Sequence, residues 1–133
     1  MHLNHIGIAV SNPETLKKLF TLLGLSTRSI ESVPEQGVQA HFVPVSGPTN
    51  FELLEATDPE STIAQFIAKR GPGIHHLSLE CAKGELDGLS AKLRASGYRL
   101  TYDAPKMGAH HMRVNFIHPA STGGILIEIM ETS

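Results

Sequence analysis

The sequence predicts an α+β fold of two tandem βαβββ modules, forming a curved eight-stranded mixed sheet, an incomplete barrel around a metal site. Three observations lead there. The stretch His5-Ile6-Gly7-Ile8-Ala9-Val10 is echoed by His76-Leu77-Ser78-Leu79-Glu80-Cys81. Each copy continues through a helix-like segment that ends at a glycine, Gly24 and then Gly97. Each also reaches a late apolar strand with one carboxylate inside it, Phe51-Glu52-Leu53-Leu54 and Ile127-Glu128-Ile129-Met130. Two four-stranded units can pair their open edges and curl into a cup, leaving no exposed edge between them. A concave sheet with inward polar groups is a natural small-molecule site.

The elements follow in order. Leu3 to Val10 reads as a strand rich in Ile and Val. Asn12 is placed as an N-cap, with Pro13 at the first helical position and Glu14 in the first turn. Leu16, Leu19, Phe20 and Leu23 recur at helical spacing and make one apolar face. Gly24 is then the left-handed residue past the helix end. Strands are expected over about Ser26 to Val33 and Val38 to Val45, separated by the turn Pro34-Glu35-Gln36-Gly37. Another turn, Ser46 to Asn50, precedes the strand Phe51 to Ala56. Asp58-Pro59-Glu60 predicts a helix start, and Gly71-Pro72-Gly73 stops that helix. The second copy repeats the order. Leu86, Leu89 and Leu93 mark its helix, and strands are expected near Tyr98 to Tyr102, Met112 to His118 and Ile125 to Met130. The chain is read as a single domain over 1–133, with modules of about 1–57 and 73–133 joined by a helix of about 58–72.

The totals narrow the function. At 133 residues with 41% hydrophobic and 18% charged residues, the chain has the composition of a folded domain. A net charge of −2 argues against nucleic acid as partner. No apolar run approaches the roughly 18 residues that span a bilayer. Met1-His2-Leu3-Asn4 is no secretory signal. The lone Cys81 forms no internal disulfide and reads as a small buried side chain. A soluble, cytoplasmic protein is expected.

Four residues carry the chemistry: His5, Glu52, His76 and Glu128. Histidine and carboxylate ligate Zn, Co, Mn, Ni or Fe without thiolate, and two carboxylates balance a 2+ ion. Each of the four is a polar group set in an apolar strand. Alternation places His5 with Leu3 and Gly7, and His76 with Ser78. Singly, such a histidine is ordinarily a hydrogen-bonded boundary residue and such a glutamate a solvated one. Matched placement in both copies is what favours ligands. His75 points away from His76 by the same alternation. His41 and His118 take the structural reading, and Lys69-Arg70 complements a helix end. His110 and His111, in a loop entering a strand, are left between substrate contact and solvation.

The repeated unit with paired His and Glu resembles the vicinal oxygen chelate superfamily, and within it the methylmalonyl-CoA epimerases, over nearly the whole chain. The matching segments are Leu3 to Val10, Pro34-Glu35-Gln36-Gly37-Val38, Glu52-Leu53-Leu54, Gly73-Ile74-His75-His76-Leu77, Gly108-Ala109-His110, Phe116-Ile117-His118-Pro119 and Gly123 to Glu128. The ordered set is specific where each piece alone is weak. The resemblance implies one divalent cation (Co, Mn, Ni or Zn) at His5, His76 and Glu128, with Glu52 as fourth member, an acyl-CoA substrate and a homodimer. It implies an epimerase that inverts the carbon between thioester and carboxylate through a metal-stabilised enolate. Glu128 is expected to double as ligand and base, and Glu52 is the candidate for the opposite face. Two departures matter. The fourth position is glutamate here, as in glyoxalase I, so lactoylglutathione lyase chemistry is the rival. A non-catalytic binding or resistance protein stands third. The position where some epimerases carry a glutamate base is Ala40, flanked by Gln39 and His41, so the second base has no assignment by resemblance.

Overall fold

Strand β1 (His2–Val10) buries His5, Gly7 and Ala9 on one face and carries Ile8 and Val10 on the other. The computed structural model containing it describes residues 1–132. Helix α1 (Pro13–Leu22) follows, and its start is as expected: the Asn12 side chain accepts from the Glu14 N–H at 3.0 Å and Pro13 occupies the first turn. Its end is a Schellman closure, with Leu25 N–H bonded to Phe20 O at 2.7 Å and Gly24 N–H to Thr21 O at 3.0 Å. Gly24 adopts φ +84°, which turns the chain back over the helix. Leu25, rather than Leu23, therefore covers the core. The apolar face read from the sequence is narrower than expected: Leu19 and Leu23 are 48% and 66% exposed. Leu23 is the cap residue beyond the last turn, and Leu19 flanks the seam that Leu16 and Phe20 form.

Strands β2 (Ser29–Val33), β3 (Val38–Ser46) and β4 (Thr49–Ala56) complete the first module. A 3-10 turn at Pro34–Gln36 separates β2 from β3. Gly37 closes it at φ +64°, where an added Cβ would lie 2.7 Å from the Asp58 Cβ, so only glycine fits. The order is β2-β3-β4-β1, with β1 parallel to β4 and the other pairs antiparallel. Val10, Phe20, Val43 and Leu53 form its core, and Phe20 stacks on Phe51 at 5.0 Å between ring centres.

Helix α2 (Thr62–Arg70) starts three residues later than a cap at Asp58 predicts. Ser61 is the cap, accepting from Ala64 N–H at 3.1 Å. The Asp58 carboxylate instead accepts from Glu60 N–H at 2.9 Å, an Asx turn that competes with helix initiation. Lys69 and Arg70 fall in the last turn, and the Arg70 guanidinium lies over Phe66.

The second module is β5 (Gly73–Glu80), α3 (Leu86–Ala95), β6 (Lys106–Met107), β7 (Met112–Ile117) and β8 (Ile127–Thr132). Its order is β5-β8-β7-β6, with β5 parallel to β8 and the remaining pairs antiparallel. Cys81, Leu86, Ile117 and Ile129 form its core. The expected strand from Tyr98 to Tyr102 is absent; that segment makes an isolated bridge, Leu100 to Ile117. Asn115 explains why. Its side chain accepts from Tyr102 N–H and donates to Tyr102 O, taking the bonds a ladder would use. The strand at this place is the two-residue β6 instead.

The chain divides into two compact units, His5–His75, and Met1–Asn4 with the residues from His76 onward. Among the described residues no helix is long and apolar enough to cross a membrane.

One polar cluster supports the second unit. Helix α3 has no side-chain cap of its own, and the Glu131 carboxylate of β8 accepts from Gly84 N–H at 2.8 Å and Leu86 N–H at 2.9 Å. Arg113 binds the same carboxylate and also reaches Asp87 at 3.0 Å. Burial works to raise the Glu131 carboxyl, but the bonds from Leu86, Arg113 and Gly84 outweigh it and hold it below the ordinary range. Its stabilisation is therefore present above about pH 4.5 and is lost as pH falls below that. Glu131→Ala strips the helix start of its acceptor and is expected to cost roughly 2 kcal/mol. Urea denaturation at neutral pH measures this, and the difference from the parent shrinks in acid.

Candidate metal centre

The two modules build their buried polar pairs in the same way. In the first, His5 is 5% exposed and lies two residues before Gly7, the β1 residue in register with Glu52. Glycine puts no side chain between them, and His5 Nε2 stands 3.2 Å from Glu52 Oε2. In the second, His76 lies two residues before Ser78, the β5 residue in register with Glu128, and His76 Nε2 is 3.9 Å from Glu128 Oε1. Parallel pairing explains the shared design. It keeps the two strands in step, so a histidine early in one and a glutamate late in the module meet on one face.

Burial governs the electrostatics. Desolvation pushes the Glu128 carboxyl up to about 7, while a hydrogen bond from Ser78 works against the rise. Ionising Glu128 in place thus costs roughly 3 kcal/mol more than in water. The Phe116 ring stands edge-on to His76, with 6.2 Å between centres, and dries that side of the pair. His5, His76 and Glu128 each offer one ligand atom suited to a cation. Buried imidazole and carboxylate donors of this kind suit a 2+ ion by donor type. Without one, burying this many ionisable groups is costly.

The other histidines do different work. His75, on the opposite face of β5, packs edge-on against Phe66 at 5.0 Å, and burial lowers its pKa. His41 is buried with Nε2 3.4 Å from Glu55 Oε1, on the face of β3 away from Glu52. His118 Nδ1 accepts from Ala120 N–H and caps a 3-10 turn. His110 and His111 are exposed, at φ +55° and +57°. Cys81 is buried and donates to Met130 O. Glu131 went unread in the sequence because its partners, Gly84 and Leu86 at the start of α3 and Arg113 on β7, lie far from it along the chain.

Residues 4–116 match the glyoxalase/bleomycin resistance protein/dioxygenase superfamily, and the chain belongs to it. Its relatives there include methylmalonyl-CoA epimerases, which are enzymes. The mitochondrial methylmalonyl-CoA epimerase of Mus musculus is 34% identical over 96% of this chain and 71% of its own length. The ethylmalonyl-CoA/methylmalonyl-CoA epimerase of Cereibacter sphaeroides is 33% identical over 96% of this chain and 95% of its own. Among solved structures, a variant of the Streptomyces coelicolor methylmalonyl-CoA epimerase in complex with 2-nitronate-propionyl-CoA superposes with a TM-score of 0.91. It is 29% identical and covers 100% of this chain and 95% of that one. That likeness shows the α+β fold of paired βαβββ modules expected from the sequence.

The raised Glu128 value sets a measurable slope. Its folded value of about 7 exceeds the ordinary 4.5, so the stability tied to the neutral carboxyl is full below 4.5 and lost as pH rises through about 7. Glu128→Gln is neutral at every pH and removes that loss. Thermal melts of chelator-treated protein across this range should show a flatter curve for the variant than for the parent. Parallel curves would mean that the carboxyl ionises without penalty.

Proposed function

We propose that this chain is a metal-dependent epimerase that inverts the carbon between thioester and carboxylate of methylmalonyl-CoA. The observation that carries the reading is the repeated buried pair, His5 with Glu52 and His76 with Glu128, in a chain whose relatives include epimerases of this substrate. In this reading both pairs serve one divalent cation, with His5, His76 and Glu128 as ligands and Glu52 as the fourth. A Co, Mn, Ni or Zn ion there supplies Lewis acidity, lowering the cost of negative charge on the substrate.

The chain's own residues handle the proton. Burial alone puts the Glu128 carboxyl at about 7, and a bound 2+ ion would bring it down and keep it ionised, in the form that accepts a proton. Glu128 takes the proton from the central carbon, the electron pair passes into the thioester as an enolate, and a group on the opposite face returns a proton. Glu52 is a candidate for that second role as well as for ligation. The Phe116 ring helps to keep water from Glu128's partner His76.

Glu52 also sustains a second reading, because two histidines and two glutamates make the ligand set expected of glyoxalase I. The two substrates differ in their carrier, CoA or glutathione, so assays on both separate the readings. As assembly we propose a homodimer, the commonest closed symmetry for soluble chains. Light scattering at the mass of one chain would reject it.

Removal of metal with a chelator should abolish epimerisation, and added divalent cation should restore it. Glu128→Gln with metal content unchanged should lose at least about 100-fold in exchange of the substrate's central hydrogen with solvent deuterium. Exchange at the parent rate rejects Glu128 as a base.

A further inference from the structure

Inversion needs proton carriers on both faces of one carbon, and the reading above leaves the second carrier unsettled. Glu52 sits 3.2 Å from His5, an engagement that suits a ligand. Ala40, where some related enzymes place a carboxylate, is 1% exposed and has no titratable group. Its flanking residues do not substitute. Gln39 and His41 are in register with Glu55 and Leu53, which puts them on the face opposite Glu52, and His41 is held there by Glu55.

The register of β2 supplies an alternative. Glu31 pairs directly with Ala40, and Ala40 with Leu54 and Leu54 with Ala9, so these four form one row across β2, β3, β4 and β1. The next row is Ser29, Phe42, Glu52 and Gly7. Residues paired across strands share a face. Glu31 is thus on the face of His5 and Glu52, half-buried in a strand whose alternate residues Ile30 and Ser32 are exposed. Among the described residues of these four strands, that face carries three titratable side chains, His5, Glu31 and Glu52. Strand spacing and rise put the Cα atoms of Glu31 and Glu52 about 12 Å apart, within the span of two glutamate side chains. Ala40, in the intervening strand, puts only a methyl group into that row.

We propose that Glu31 is the second proton carrier of the epimerisation, a catalytic carboxylate displaced by one strand from the position that Ala40 leaves empty of chemistry. The inference rests on the epimerase reading. From one epimer the Glu31 carboxylate takes the proton of the central carbon; the C–H electron pair remains in the enolate, and the protonated carrier on the other face returns a proton to that carbon. From the other epimer the roles exchange, and the substrate's composition is unchanged in both directions.

The test uses the metal-loaded parent and Glu31→Gln, each incubated with either epimer in deuterated buffer. The parent should epimerise and exchange the central hydrogen of both epimers. In Glu31→Gln, epimerisation and exchange from one epimer should fall at least about 100-fold, with exchange from the other within about three-fold of the parent and metal content unchanged. A variant that epimerises within about three-fold of the parent overturns the inference and leaves the epimerase reading intact. Equal loss of both exchanges with a raised KM overturns it too, assigning Glu31 to binding. A parent that does not epimerise ends the reading and the inference together. Should Glu31→Gln fail to fold by circular dichroism, Glu31→Thr, which suits a strand, is measured against the same outcomes.

Discussion

A carboxylate held out of water beside an imidazole is the interaction on which this structure depends. Burial alone lifts Glu128 to about 7. The same burial that makes ionisation costly is what gives a cation beside the group its leverage over the proton. A cation would stabilise the charged form of each carboxylate and the neutral form of each imidazole. The proposed chemistry is thus a consequence of how dry these strand faces are.

Parallel pairing makes the arrangement repeatable. β1 with β4, and β5 with β8, each bring the beginning and the end of a module side by side. In both, histidine lies two residues before the partner of glutamate, and that partner is small, Gly7 or Ser78. The two modules differ in tuning. Gly7 leaves His5 and Glu52 in close contact, whereas Ser78 contributes a hydroxyl that favours the charged form of Glu128. One module is built for contact and the other for adjustment of a proton affinity.

Structural polar groups are kept apart from this chemistry by the alternation of the strands. His41 with Glu55, and His75 with Phe66, occupy the opposite faces of their strands. Glu131 serves helix α3 from within β8, three residues beyond Glu128 and so on the other side of the sheet. Neighbouring acids in one short strand therefore behave oppositely: Glu131 is held below the ordinary range by donors, and Glu128 is driven above it by their scarcity relative to its burial.

The tandem modules, the first helix with its Asn12 cap and Gly24 exit, and the pairing of an early histidine with a late glutamate were all legible in the order of residues. Those features are local or periodic, and a repeat states them twice. The start of α2, the loss of a strand at Tyr98 to Tyr102 and the exposure of Leu19 were not, because each turns on a competing contact: the Asx turn of Asp58, the side chain of Asn115, and Leu25 folding back over Phe20. By itself, then, the sequence determined which side chains stand in apolar strands and with what spacing. Tertiary structure alone decided the 3-10 turn geometry that sets Glu31 beside Ala40, and the burial that raises Glu128, which depends on strands far away along the chain.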